Sequence, residues 1–265
     1  MLSVQLTLKK KFTYDINLPI HNIPYISSGL YFLLKGIEGE GTNSVPSHFY
    51  SPFYFGLYQV NKKKKYFHIL GKRIFLKVHF HTLSEVQDFE RLKNHILSKS
   101  IKFKFETVVY EFIVEDVKIE PIVEFENEQI FKVYTPTVLT VRNEETGRFD
   151  FIRPSSQQFT AALKQDIMDK YFNSSFKDVI PAEWQNKEIS VDLVPFEKHK
   201  KTDFLITTST KTMKIHATYG FHIRVSAPNN MLKIIYYTGL GRNNNIGCGY
   251  LLPVKEMPIV RKRID

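Results

Sequence analysis

The sequence predicts an α+β protein built from two tandem ferredoxin-like modules, each of order βαββαβ, followed by a glycine-rich loop near the C-terminus. Three observations carry that expectation. The first 120 residues pass through strand-type and helix-type hydrophobic patterns in the order strand, helix, strand, strand, helix, strand. The second half repeats the theme less regularly, and residues 239–249 hold four glycines.

Val4, Leu6 and Leu8 alternate with polar residues, the period of a half-buried strand. Between Ile20 and Gly36 the apolar positions Ile23, Ile26, Leu30, Leu33 and Leu34 recur at helical spacing, with Ser27 and Ser28 available as caps and Gly36 as the stop. Three β-prone runs follow, Phe53 to Val60, Tyr66 to Leu70 and Ile74 to Phe80. Ser84 to Leu97 is an amphipathic helix: Glu85 and Asp88 lie in its first turn, and Val86, Phe89, Leu92 and Ile96 fall on one face. Strands at Ile101 to Phe105 and Val108 to Val117 complete the module.

In the second half a strand near Val133 to Arg142 precedes a helix at Ser155 to Phe172, where Phe159, Leu163, Ile167 and Tyr171 recur every four residues. Beyond Pro181 the runs Ile189 to Phe196, Phe204 to Thr210, Met213 to Val225, Leu232 to Thr238 and Ile246 to Val254 all read as strands, with Pro228-Asn229-Asn230 as a turn. The boundary is expected in the acidic stretch Pro121 to Asn127, giving modules 1–124 and 125–265. No tandem repeat of the length that marks a solenoid is present.

Composition narrows the function classes. With 43% hydrophobic and 24% charged residues in 265, the chain has the makeup of a globular domain rather than a disordered or fibrous one. The single cysteine, Cys248, excludes an intramolecular disulfide and a cysteine-based zinc site, in keeping with a reducing compartment. The N-terminus lacks a signal-peptide pattern, and no apolar run reaches the roughly 18 residues of a membrane span, so the expected location is the cytoplasm. The net charge of +10 is segregated: residues 1–104 carry +10, residues 105–195 carry −8 and residues 196–265 carry +8. Two basic ends that meet in the fold would make one surface attractive to a polyanion.

The sharpest local feature is Gly239-Leu240-Gly241-Arg242-Asn243-Asn244-Asn245-Ile246-Gly247-Cys248-Gly249, between two strand-like runs. Its glycines and asparagines tolerate positive φ, so the backbone can fold tightly and turn N–H groups toward an anion, while Arg242 adds a planar phosphate-binding fork. No Gly-Lys-Ser/Thr follows, which excludes a P-loop, and a Rossmann fingerprint is excluded because no helix follows the glycines.

A loop of the form G-x-G-x-x-x-x-x-G-x-G near the C-terminus, after tandem ferredoxin-like modules, resembles that of the CRISPR-associated endoribonucleases that process repeat RNA, members of the repeat-associated mysterious protein superfamily. The size, the module order, the helix at Ser28 to Lys35 and the stretch Thr238 to Leu251 all take part in the resemblance. It implies cleavage within each repeat of a long precursor transcript, without metal or other cofactor. RNA carries its own nucleophile, the 2′-OH, so such a reaction needs a base, an acid and a cation near the phosphate, and leaves a 2′,3′-cyclic phosphate and a 5′-OH.

Histidine suits the proton transfers because its ordinary pKa lies near neutrality. His48, in the loop Thr42 to Tyr50, matches the family's catalytic histidine by position, with His21 in reserve. Some members of the family place a tyrosine on the first helix, where Tyr31 stands here, although the offset from Gly29 also fits Phe32. The family's lysine shortly after the histidine has no counterpart, since Tyr50 to Val60 holds no basic residue. The cationic role is left among Lys35, Arg242 and Lys62 to Lys65. His79 and His81 have strand spacing compatible with a metal, but no third ligand accompanies them. RNA contacts are expected from Lys198, Lys200, Lys201, Lys211, Lys214 and Arg224, and from Gly239, Gly241, Arg242, Asn243, Gly247 and Gly249 of the loop. The expected partner is CRISPR repeat RNA, with room for a homodimer or attachment to an interference complex. The rival reading is a non-catalytic subunit that holds guide RNA.

Overall fold

The computed structural model describes residues 1–11, 16–19, 23–37, 48–55, 58–61, 66–80, 83, 86–105, 107–174, 184, 188–194, 199–207 and 212–254. These form two compact units, one within Met1–Ile122 together with Asn245–Gly247, the other within Val123–Asn244 together with residues 248–254. Among the described residues no helix is long and apolar enough to cross a membrane.

In the first unit the elements run β1 (Leu2–Lys10), β2 (Ile16–Pro19), α1 (Ile23–Leu34), β3 (His48–Tyr50), β4 (Tyr54–Phe55), β5 (Tyr58–Asn61), β6 (Tyr66–Ile69), β7 (Arg73–Phe80), α2 (Val86–Ile96), β8 (Ser100–Phe105) and β9 (Val108–Ile119). The main sheet is antiparallel with order β3-β7-β1-β9-β8 and β4 added on β7. Helix α1 connects β1 to β3 and α2 connects β7 to the β8–β9 hairpin, so β3-β7-β1-β9 follows the ferredoxin-like strand order with β8 as an extra edge. β2, β6 and β5 form a small separate sheet. Central β1 has both faces covered: Val4, Leu6 and Leu8 are buried on one, and Ser3 and Thr7 on the other. Gly29 lets α1 approach β8 closely, since a Cβ there would lie 2.6 Å from the Phe103 ring and 2.9 Å from Lys102 O. Ser27 and Ser28 are inside α1 and cap nothing at its start, whereas Gly36 with φ 85° does end it.

In the second unit the order is β10 (Glu128–Val133), β11 (Thr140–Arg142), β12 (Phe149–Phe151), α3 (Phe159–Phe172), β13 (Ser190–Val194), β14 (Lys200–Thr207), β15 (Thr212–Tyr219), β16 (His222–Ser226), α4 (Asn229–Thr238) and β17 (Leu251–Pro253). Its four-stranded sheet, β13-β16-β10-β17, is the same βαββαβ order met again as β10-α3-β13-β16-α4-β17. The hairpins β11–β12 and β14–β15 are insertions in that plan.

Several expectations change here. Leu232 to Thr238 belongs to helix α4, not to a strand, and Pro228-Asn229-Asn230 begins that helix instead of turning a hairpin, with Pro228 O accepting from the N–H groups of Met231 and Leu232. Met231, Leu232, Ile234, Ile235, Tyr236 and Tyr237 are all buried while Asn229, Asn230 and Lys233 stay partly exposed, but the unbroken run Ile234–Tyr237 of strand-favouring residues hides that helical pattern in the sequence. The glycine-rich loop accordingly follows a helix. The expected strand Met213 to Val225 is two strands broken at Gly220 (φ 79°), and of Ile246 to Val254 only Leu251–Pro253 is strand. The charge segregation along the chain is also partly undone: Glu111, Glu115 and Glu120 of the acidic stretch pair with Lys11, with Arg73 and Lys9, and with Lys77.

Candidate functional site

On α1 the buried residues Ile26, Leu30, Leu33 and Leu34 face the core, leaving Tyr31 and Phe32 exposed at 42% and 74%. Their rings meet edge to face with centroids 5.5 Å apart. Tyr31 is thus not a core aromatic. Lys35, four residues on and exposed, follows the same side of the helix, its N–H donating to Tyr31 O at 3.0 Å. His48 is the first residue of β3 rather than a loop residue; it pairs with Phe80 of β7 and is half-buried. Its ring lies 6.3 Å from those of Tyr50 and Phe80, so the imidazole is held against aromatic neighbours and still reaches solvent. His95 is close by in sequence to α2's end and sits 3.1 Å from Lys35 O; burial first, and the Lys99 cation second, hold it below its ordinary pKa. His21, His81 and Lys62 to Lys65 lie outside the described residues. His79 is buried against Ser3 Oγ at 2.8 Å, and among the described residues no group of three His, Cys, Asp or Glu is placed to hold a metal ion.

The glycine-rich loop is closely self-bonded. Gly239, Gly241, Gly247 and Gly249 have φ between 69° and 81°, and Asn243 has φ 63°. A Cβ on Gly241 would lie 2.4 Å from Val138 O, and one on Gly249 only 1.9 Å from Leu240 O. The N–H groups of Gly239, Leu240, Gly241, Arg242, Cys248 and Gly249 are all spent on protein acceptors, so these do not form the anion cradle expected from sequence. Asn244 Nδ2 bridges Leu240 O and Cys248 O at 3.0 and 2.8 Å, and buried Cys248 has its thiol pKa pushed up to about 12 by desolvation. What the loop presents outward is side chain, chiefly Arg242, whose guanidinium lies 3.8 Å from the centroid of the Phe149 ring.

Two residues that hold this loop escaped the sequence reading. Asp166 and Lys170 lie on α3, four apart, each with its side chain 17% exposed, and their charged atoms are 2.9 Å apart. Lys170 Nζ also donates to Gly239 O at 2.7 Å and Gly241 O at 2.9 Å, while Asp166 Oδ2 accepts the Gly241 N–H at 2.7 Å. Burial lowers the Lys170 pKa, and the Asp166 charge opposes that shift. The available signal was an acid and a base at i and i+4 flanking Ile167, a buried position, on the inward side of a helix.

A family model for the C-terminal part of CRISPR-associated protein Cas6 matches residues 118–252, just over half of the chain. The chain belongs to the Cas6 family. No curated protein matches it at a meaningful level. Among solved structures it is similar to a RAMP protein described as binding different RNA substrates, with TM-score 0.72, 17% identity and coverage of 96% of this chain and 100% of that one. A CRISPR-associated protein Cas6 gives TM-score 0.70 at 16% identity, covering 96% and 99%. A Cas6-related protein from Pyrococcus furiosus gives 0.67 at 18%, covering 97% and 99%. At these identities the likeness is one of fold, tandem ferredoxin-like modules in an α+β chain.

In this Cas6-family chain the expected RNA-contacting cations are distributed unevenly. Lys200 lies 5.9 Å over the Tyr219 ring, and Lys201 is exposed beside it on β14. Lys214 is paired with Asp203 at 2.8 Å and Arg224 with Glu128 at 3.6 Å, both on the surface, where such pairs are weak and open to exchange for phosphate. His216 shares Asp203 at 2.8 Å. Lys198 and Lys211 lie outside the described residues.

Proposed function

We propose that this chain binds CRISPR repeat RNA and cleaves it by metal-independent transesterification. The 2′-oxygen attacks the adjacent phosphorus as a base removes its proton; the bond to the 5′-oxygen breaks as an acid supplies a proton there, leaving a 2′,3′-cyclic phosphate and a 5′-OH. His48 carries one of the two proton transfers, Tyr31 contacts the reacting nucleotides, and Lys35 supplies positive charge. Arg242, Asn243, Lys200, Lys201, Lys214 and Arg224 contact RNA, with Lys198 and Lys211, while Gly239, Gly241, Gly247 and Gly249 give the loop its shape. Membership of the Cas6 family carries this reading, supported by a half-buried histidine at the start of β3 and by exposed Tyr31 and Lys35 on one side of α1.

The test is cleavage of the cognate repeat RNA in excess EDTA by wild type and His48→Ala, with binding measured in parallel and a 2′-deoxy nucleotide at the cut site as control. The expected result is cleavage by wild type that falls at least about 100-fold in His48→Ala, vanishes on the deoxy substrate and leaves binding intact. Binding without cleavage by wild type would establish the rival reading, a subunit that holds RNA without cutting it. Undiminished cleavage by His48→Ala would move the chemistry to another residue, with His21 the next to replace.

A further inference from the structure

The hairpin β11–β12 is an insertion that neither the sheet nor the helices of its unit require, and it carries an apolar ring in water. Phe149 is 53% exposed. In the hairpin register Phe149 stands opposite Arg142 and Phe151 opposite Thr140, so these four side chains share one face, while Asp150 and Val141 point to the other. The Arg242 guanidinium lies 3.8 Å from the Phe149 ring centroid, within stacking distance, and the Phe151 ring lies 6.0 Å from that of His216 on β15. Two aromatic rings are therefore spaced by two strand rises, about 6.7 Å, and bordered by Arg142, Arg242 and His216.

The arrangement is fixed in advance. Asn143 Oδ1 accepts the N–H groups of Glu145 and Thr146 at 3.0 and 2.9 Å, Asn143 N donates to Arg148 O at 2.7 Å, and Gly147 takes φ 65°, which locks the hairpin turn. Arg242 N donates to Val138 O at 2.8 Å, and the preceding Gly241 is clamped by Asp166 and Lys170. A rigid aromatic with a cation already on its ring and half its surface in solvent matches what an unpaired nucleobase needs: a π-face to stack on, next to positive charge for the phosphate.

We propose that Phe149, backed by Arg242 and continued by Phe151, is a stacking platform for unpaired bases of bound RNA. The inference rests on the RNA-binding part of the function proposed above and assigns a residue to it. Stacking is tolerant of base identity, so the platform adds affinity that is insensitive to sequence and, unlike the phosphate contacts, insensitive to salt.

The experiment measures equilibrium binding of wild type, Phe149→Ala and Phe149→Trp across a salt series. Two RNAs are used, the cognate repeat and an unrelated unstructured oligonucleotide, each carrying 2-aminopurine, and thermal unfolding of each variant is recorded alongside. Expected are a loss of roughly 5- to 150-fold in Phe149→Ala with an unchanged salt slope, retention of affinity in Phe149→Trp, and 2-aminopurine quenching that Phe149→Ala abolishes. Equal affinity of wild type and Phe149→Ala would overturn the proposal, as would a loss that tracks a fall in melting temperature. If wild type binds only the unrelated oligonucleotide and still depends on Phe149, the platform stands and the repeat-processing function falls. If wild type binds neither RNA, both fall.

Discussion

Replacing Lys170 by methionine keeps the length of the side chain and removes its charge, so it isolates what the buried ammonium does for the glycine-rich loop. Gly239 O and Gly241 O lose the ammonium as donor, and Asp166 Oδ2 loses its cation while keeping the Gly241 N–H. Removing one member of a buried ion pair costs about 3–5 kcal/mol, and the residual 17% exposure admits some water, so a cost of about 3 kcal/mol is expected. For a domain of this size that corresponds to a fall in melting temperature of roughly 10 °C. Chemical denaturation with unchanged m-value measures the free energy, and hydrogen exchange at Gly241 reports the loop, because its N–H is held by Asp166. The double variant Asp166→Leu/Lys170→Met removes both charges and should be less destabilised than the sum of the singles by more than about 1 kcal/mol. Strict additivity, or a cost below about 0.5 kcal/mol for Lys170→Met, would refute the idea that this pair anchors the loop.

Gly249→Ala places a Cβ 1.9 Å from Leu240 O at φ 81°, so a loss of about 3 kcal/mol or more is expected, read as a large drop in the denaturation midpoint or in soluble yield; a near-neutral effect would mean the loop rearranges freely. The Glu115 carboxyl is held below the usual glutamate range by its hydrogen bond to Arg73, then by the charges of Arg73 and Lys9. Because the folded pKa is lowered, the contribution is complete above the unfolded value of about 4.3 and is lost as pH falls through the lower folded value. An NMR titration of the Glu115 side chain should therefore show a midpoint below the random-coil one, and Arg73→Gln should return it upward.

The first module was largely legible in the sequence because its elements announce themselves locally. Phe89, Leu92 and Ile96 mark one face of α2, and Val4, Leu6 and Leu8 mark one face of β1. Helix α4 was not legible: its polar side is only Asn229, Asn230 and Lys233, and the four consecutive residues Ile234, Ile235, Tyr236 and Tyr237 favour strands. Packing overrode that preference, since the βαββαβ order of the second sheet needs a helix between β16 and β17.

For the site the division follows the range of the interactions. The sequence by itself determined that a glycine- and asparagine-rich loop would close tightly, because positive φ is a property of single residues, and Gly241, Asn243 and Gly249 adopt it. It determined too that His48 and Tyr31 belong to the first module, and that Arg242 sits in the loop. Only the tertiary structure decided that the N–H groups of Gly239 to Arg242, Cys248 and Gly249 turn to protein acceptors, that Asp166 and Lys170 hold Gly239 and Gly241 from some 70 residues away, and that Arg242 lies on Phe149. Those contacts join residues far apart in the chain, and no local pattern marks them because the partner that satisfies each charge or ring is chosen by the packing of whole elements.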